Sequence, residues 1–197
     1  QDKDVIKVIT GMRRCGKSTL FDLFIEYLKK DGVEDNHIIS INLESLDYDF
    51  KDYRDLYNYV NSKIVDKKKY YVFLDEVQNI KEFQRTVDAL YIKKNVDVYI
   101  TGSNAYLLSG ELSTLLSGRY IEIKVLPLSF KEYKDYFNVP GDEKLYLKYI
   151  NNSAFPYALK LENEQEIDDY LDSIYNTIII KDIANRKKIT DIGMLKS

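Results

Sequence analysis

Residues 11–18, which read GMRRCGKS, have the composition and spacing of a loop that binds phosphate. Gly11 and Gly16 permit backbone angles that other residues avoid, so successive N–H groups can turn toward one anion. The Lys17 ammonium can reach the β- and γ-phosphates of a nucleotide, and the Ser18 hydroxyl can coordinate Mg²⁺. We therefore interpret this segment as a site for a nucleoside triphosphate with Mg²⁺.

The flanking sequence predicts the strand and the helix that such a loop requires. Residues 5–10 form a short apolar run, and apolar side chains recur at helical spacing over residues 17–30. The positive end of that helix dipole would point at the bound phosphate. We assign nucleotide binding to Gly11, Arg13, Arg14, Cys15, Gly16, Lys17, Ser18 and Thr19. Of these, Arg13, Arg14 and Cys15 are secondary, because side chains at such loop positions more often point outward.

An acidic pair, Asp75 and Glu76, follows the apolar run of residues 71–74. A buried strand that ends in two carboxylates can deliver them to the phosphate end of a sheet. Asp75 would then hold Mg²⁺, directly or through water, and Glu76 would polarise the attacking water. Ordinary solvated acids at a strand end are the alternative, and the phosphate-binding loop upstream favours the functional interpretation.

Two further polar residues are candidates for the same site. Asn104 follows a predicted strand and could contact the γ-phosphate or position water, although Ser103 and Asn104 are also suited to capping a helix. Arg119 could neutralise charge on a transferred phosphoryl group, often from a neighbouring subunit. From the residues alone, the favoured interpretation of Arg119 is a surface arginine at the start of a strand.

Apolar β-rich runs alternate with helical patterns from the start of the sequence to Pro127. This alternation predicts an α/β fold with a parallel sheet covered on both faces. Only helical patterns follow. We expect a core over residues 1–127 and a small helical subdomain over residues 128–197. The predicted strands are 5–10, 37–43, 70–74, 96–101 and 120–125. The predicted helices are 17–30, 52–65, 80–93, 105–116, 130–137, 143–150 and 164–186.

The net charge, the cysteine count and the length of the apolar runs indicate which classes of protein the chain can belong to. The chain has 197 residues, is 45% hydrophobic and carries a net charge of −3, which gives no general attraction to nucleic acid. It has one cysteine, and no apolar run approaches the length of a membrane span. We expect a cytoplasmic protein without a membrane segment, and both ends of the sequence suggest a fragment of a longer chain.

Taken together, the motifs resemble the bacterial and archaeal AAA+ ATPases that are distantly related to the Orc/Cdc6 initiators. The resemblance spans about residues 5–130 and continues weakly into the helical tail. It rests on the order of five segments: GMRRCGKS at residues 11–18, FLDEVQ at 73–78, ITGSN at 100–104, LLSGRY at 115–120 and PLSF at 127–130.

The resemblance implies a P-loop NTPase sheet with strand order 5-1-4-3-2 and a helical lid after Pro127. Lys17 and Ser18 would have the Walker A roles, and Asp75 and Glu76 the Walker B roles. Asn104 would be sensor 1. Arg119 would be an arginine finger that acts in trans in a homo-oligomer. A sensor 2 arginine is not evident, since Arg186, the one arginine of the expected lid, lies in a basic run typical of solvated residues.

The favoured function is Mg²⁺-dependent ATP hydrolysis that drives a conformational change in a larger multidomain protein. The alternative is a nucleotide-dependent switch or scaffold with negligible turnover, whose sequence would look nearly the same. A GTPase is disfavoured because the sequence has no N-K-x-D segment, and a small-molecule kinase because it has no lid arginine cluster. DNA is suggested as a partner only by the family, and the net charge does not support it.

Overall fold

The computed structural model of the chain describes residues 5–102, 116 and 118–178. These residues belong to two compact units. The first consists of the residues up to Thr10 together with Lys17–Lys124, and the second of Gly11–Gly16 together with the residues from Val125 onward. The predicted helix at 105–116 lies almost entirely outside the described residues, as does the part of the predicted last helix beyond residue 178.

The first unit is built on a five-stranded parallel sheet with the order β2-β3-β4-β1-β5. This order is the predicted one read from the opposite edge, and the α/β fold class is confirmed. The strands are β1 (Ile6–Gly11), β2 (Ile38–Asn42), β3 (Tyr70–Asp75), β4 (Val96–Thr101) and β5 (Tyr120–Val125). Leu74 pairs with Ile100, so the next residues, Asp75 and Thr101, end their strands at the same level.

Three helices of the first unit connect the strands: α1 (Lys17–Lys30), α2 (Tyr53–Lys63) and α3 (Phe83–Tyr91). Helix α1 has the predicted bounds. Helix α3 begins at Phe83 and not near residue 80, because Glu76 and Glu82 adopt left-handed backbone angles on either side of a 3₁₀ turn at Val77–Asn79. A helix cannot run through residues in that conformation.

Side chains of the central strands alternate between two covered faces, as expected for a buried parallel sheet. On one face, Val72, Leu74, Val98 and Ile100 are buried in the apolar core. On the other, the rings of Phe73 and Tyr99 stack at 4.8 Å, and Phe21 of α1 packs edge-on against Phe73 at 5.1 Å. Aromatic packing therefore fixes α1, and with it Lys17 and Ser18, on the sheet.

The second unit contains three more helices: α4 (Phe130–Phe137), α5 (Glu143–Asn152) and α6 (Glu164–Thr177). Each begins at a capping residue. Ser129 and Glu132 form a capping box for α4, and the side chains of Asp142 and Asn163 accept backbone N–H bonds at the starts of α5 and α6. Among the described helices of the chain, none is both long and apolar enough to cross a membrane.

Candidate functional site

The hydroxyl of Ser18 and the carboxylate of Asp75 meet at the carboxyl end of the sheet, although 57 residues separate them. Ser18 Oγ donates a hydrogen bond to Asp75 Oδ2 at 2.6 Å, and Asp75 is 7% exposed. Helix α1 positions the serine, and the last residue of β3 supplies the acid. Two hard oxygen donors in contact fit Mg²⁺, which is bound in nucleotide sites by one or two side chains together with substrate phosphates.

Thr101, at the end of β4, connects both acidic residues. Its hydroxyl donates a hydrogen bond to Asp75 Oδ1 and accepts one from the backbone N–H of Glu76 at 3.1 Å. Thr101 is fully buried. Thr101, unlike Asn104, is not among the site residues predicted from the sequence, although its hydroxyl stands at the end of a strand predicted to lie beside the strand of the acidic pair.

Glu76 has a strained backbone for a residue with a side chain. Its φ and ψ are 56° and 51°, in the left-handed region that non-glycine residues seldom occupy and that is common at functional sites. Its Oε2 accepts a hydrogen bond from Nε2 of Gln78. The backbone and the carboxylate of Glu76 are thus held by separate contacts, through Thr101 and Gln78.

Lys17 is buried on the first turn of α1, with 5% of its surface exposed. Lysine is almost never buried to this extent without a partner for its charge. Thr19, two residues further along α1, is exposed. The first unit therefore brings Ser18, Asp75 and Thr101 into contact, with Glu76 directly after Asp75.

The loop of residues 11–16 belongs to the second unit, where its backbone lies against Val125. A Cβ atom on Gly11 would stand 2.3 Å from the Val125 carbonyl oxygen, and the Cys15 thiol donates a hydrogen bond to that oxygen at 3.5 Å. Gly16 has φ of +104°, which side chains disfavour. Both glycines of the motif are thus required by the backbone, as the sequence predicts.

Arg14 lies over the ring of Tyr170 in α6, with the guanidinium carbon 5.9 Å from the ring centroid. Burial raises the pKa of the Tyr170 hydroxyl above its usual range, and the positive charge of Arg14 partly opposes that increase. Within the second unit, this contact connects the loop of residues 11–16 to α6. The contact of Arg14 with Tyr170 is not predictable from the sequence, since nothing local distinguishes Tyr170 among 18 tyrosines.

Arg119 lies at the other end of the strands from Ser18 and Asp75. Its carbonyl accepts a hydrogen bond from the N–H of Ile6, the first residue of β1, whereas Thr101 is level with Ile9. At about 3.3 Å per residue, Arg119 is roughly 10 Å from that level along the strand direction, and three strands away from Asp75. The first unit therefore does not bring Arg119 together with the acidic pair.

The side chain of Arg119 faces α3. One guanidinium nitrogen is 3.9 Å from Asp88 Oδ1, and the group lies over Tyr91 at 5.9 Å. Burial raises the pKa of Asp88 above its usual range, and Arg119 opposes this only in part. About half of the arginine side chain remains exposed to solvent. Asn104 and Arg186, the other two residues considered for sensing roles, lie outside the described residues.

We predict that Thr101→Val destabilises the protein by about 1–3 kcal/mol and weakens Mg²⁺-dependent nucleotide affinity about tenfold. The substitution keeps the side-chain shape but removes the hydroxyl that pairs with Asp75 and with the backbone of Glu76. Thr86→Val is the matched control, because the Thr86 hydroxyl is equally buried and donates to the Tyr53 carbonyl at 2.6 Å. Thermal unfolding and nucleotide titration with and without Mg²⁺ measure both effects. Equal losses of affinity in the two variants would contradict the role of Thr101.

A family model described as an AAA domain matches residues 3–134, more than half of the chain. Over 203 residues the chain is 41% identical to an uncharacterized protein of Haemophilus influenzae, and the match covers 100% of this chain and 50% of that protein. It is 30% identical over 207 residues to uncharacterized protein MJ1544 of Methanocaldococcus jannaschii, covering 97% and 44%. The chain thus spans about half the length of these curated relatives.

Two solved structures share the fold. The ORC1 protein of Aeropyrum pernix, solved in complex with DNA, has a TM-score of 0.50 at 13% identity, covering 90% of this chain and 62% of that one. AMPPCP-bound DnaA of Aquifex aeolicus has a TM-score of 0.50 at 15% identity, covering 94% and 65%. The family match, the strand order and the contact between Ser18 and Asp75 agree, and the chain belongs to the AAA+ family of P-loop ATPases.

Proposed function

We propose that this chain binds ATP with Mg²⁺ and hydrolyses it, and that the cycle drives a conformational change in a larger protein. The supporting observation is the contact between Ser18 and Asp75, with Glu76 as the next residue on the chain. Mg²⁺-dependent ATP hydrolysis requires a pair of oxygen ligands for the cation and one further carboxylate. The family membership favours the same reaction class.

Each residue has a distinct part in this proposal. Lys17 and the backbone of residues 11–16 bind the β- and γ-phosphates, and Ser18 and Asp75 hold Mg²⁺, which neutralises phosphate charge. Glu76 accepts a proton from water as the water oxygen forms a bond to the γ-phosphorus. The bond from that phosphorus to the bridging oxygen breaks, and ADP leaves with the electron pair. Asn104 senses the γ-phosphate.

A second candidate is a nucleotide-dependent switch or scaffold that binds ATP and hardly turns it over. The position of Arg119 favours this alternative for the isolated chain, because the arginine lies at the far end of the strands from its own acidic pair. A role for Arg119 in phosphoryl transfer would require a neighbouring copy of the chain. Hydrolysis should then depend on association, and a dilute chain should behave as a switch.

The two candidates differ in how turnover depends on protein concentration. We predict that ATP hydrolysis per chain rises with concentration, and that Arg119→Ala removes this rise while leaving ATP affinity unchanged. Arg85→Ala is the control, since Arg85 is a comparably exposed arginine on α3. Steady-state turnover and light scattering over the same concentration range provide the measurement. ATP binding without turnover at any concentration would support the switch, and no binding would contradict both candidates.

A further inference from the structure

Gln78 holds the carboxylate of Glu76 in a defined position. Its Nε2 donates to Glu76 Oε2, and because a carboxylate only accepts hydrogen bonds, the amide nitrogen must face the acid and Gln78 Oε1 must face away. That Oε1 atom is buried and accepts no hydrogen bond from any residue that the structure describes. A buried acceptor without a donor is uncommon, so the amide of Gln78 is held in this orientation by its contact with Glu76.

The backbone around Gln78 leaves it little freedom. Gln78 is the middle residue of the 3₁₀ turn Val77–Asn79, and the first residue of that turn, Val77, is fully buried. Ile80, which follows the turn, is also buried and donates its N–H to the Val77 carbonyl at 3.1 Å. The Asn79 N–H bonds to the Glu76 carbonyl at 3.1 Å. Two apolar anchors therefore fix the turn, and the turn places the amide of Gln78 beside Glu76.

We infer that Gln78 is a positioning residue for ATP hydrolysis, which orients the Glu76 carboxylate toward the attacking water. The hydrogen bond to Oε2 restrains rotation of the carboxylate and leaves Glu76 Oε1 for the proton of that water. A carboxylate held in one orientation meets the water in a reactive geometry more often than a freely rotating one does. Gln78 itself exchanges no proton and forms no covalent bond. This inference rests on the proposed function, in which Glu76 is the base.

The test is steady-state ATP hydrolysis by the full chain carrying Gln78→Met, at the protein concentration where the wild-type chain is most active. Methionine keeps the length of the side chain but can neither donate nor accept as the amide does. We expect kcat to fall about tenfold and KM for ATP to stay within twofold, because Gln78 acts through Glu76 and not on the bound nucleotide. Gln84→Met on α3 is the matched control and should retain wild-type values.

A double-mutant cycle separates positioning from a structural effect. If Gln78 acts through Glu76, adding Gln78→Met to Glu76→Gln should lower the residual turnover no further. A structural role would lower it in both backgrounds and would lower the midpoint of thermal unfolding as well. Gln78→Asn, which keeps the amide on a side chain one methylene shorter, should resemble Gln78→Met if position is what matters.

Each remaining outcome has one meaning. If the wild-type chain hydrolyses ATP in a Glu76-dependent way and Gln78→Met keeps its kcat within twofold, the assignment of Gln78 is wrong and the proposed function stands. If Gln78→Met raises KM and spares kcat, Gln78 binds nucleotide and the assignment is also wrong. If the wild-type chain shows no Glu76-dependent hydrolysis, the proposed function fails and the role of Gln78 fails with it.

Discussion

Glu76→Gln should retain ATP binding and lose turnover by a factor of about 10²–10⁴, the usual contribution of a positioned general base. The amide has nearly the same size and shape as the carboxylate, but it cannot take a proton from water. The contacts of Ser18 and Thr101 with Asp75 do not involve the Glu76 side chain, so the oxygen pair proposed to hold Mg²⁺ should be unchanged.

A conformational effect of the substitution can be separated from a chemical one. Glu82 provides the control, because it also has a left-handed backbone, with φ of 57° and ψ of 31°, and its carboxylate is likewise hydrogen-bonded, to Arg85 at 3.0 Å. Glu82→Gln removes the same charge from the same backbone conformation away from the site. It should keep wild-type turnover and ATP affinity.

Turnover and nucleotide affinity must be measured on the same samples to interpret this pair of variants. A loss of turnover in Glu76→Gln with unchanged affinity supports a base, because only the transition state is affected. Loss of affinity in Glu76→Gln would show instead that the carboxylate acts on binding. Wild-type turnover in Glu76→Gln would contradict the assignment of the base outright.

The strands and helices that alternate along the chain were mostly predictable from the sequence. Strands such as β4 and β5 have the predicted bounds because an apolar run between turn residues is a local signal. The strand order itself came from the resemblance to AAA+ ATPases and is confirmed. The start of α3 was predicted too early, because the left-handed angles of Glu76 and Glu82 do not follow from the propensity of glutamate.

The contacts of the candidate site were only partly predictable. The motifs identified Lys17, Ser18, Asp75 and Glu76, because their chemistry requires fixed residue types at fixed spacing. Thr101 and Gln78 contact the acidic pair through hydrogen bonds whose geometry depends on strand register and on a short 3₁₀ turn. Residue type alone does not specify such partners, since threonine and glutamine at a strand end or in a turn are common.

Substitution of Gly11 by alanine should weaken ATP binding by a factor of roughly 5–150. The added Cβ would stand 2.3 Å from the Val125 carbonyl oxygen and 2.7 Å from the Cys15 sulfur, so the loop of residues 11–16 or the backbone at Val125 must move. Such overpacking costs about 1–3 kcal/mol. In the proposed function the native loop turns its N–H groups toward the phosphates, so that cost would reduce the population competent to bind, and the apparent affinity would fall in proportion.

Gly32→Ala separates this effect from the general cost of replacing a glycine. Gly32 follows α1, has φ of +91°, and a Cβ there would meet nothing within 4 Å. The left-handed backbone alone should destabilise that variant by about 1–2 kcal/mol and leave ATP affinity unchanged. ATP titration and thermal unfolding of both variants provide the comparison. A reduced affinity confined to Gly11→Ala would mean that the loop of residues 11–16 depends for ATP binding on its close approach to Val125, the last residue of β5. Equal affinities would mean that the loop tolerates displacement from Val125, and that its backbone is organised by the phosphates themselves on binding.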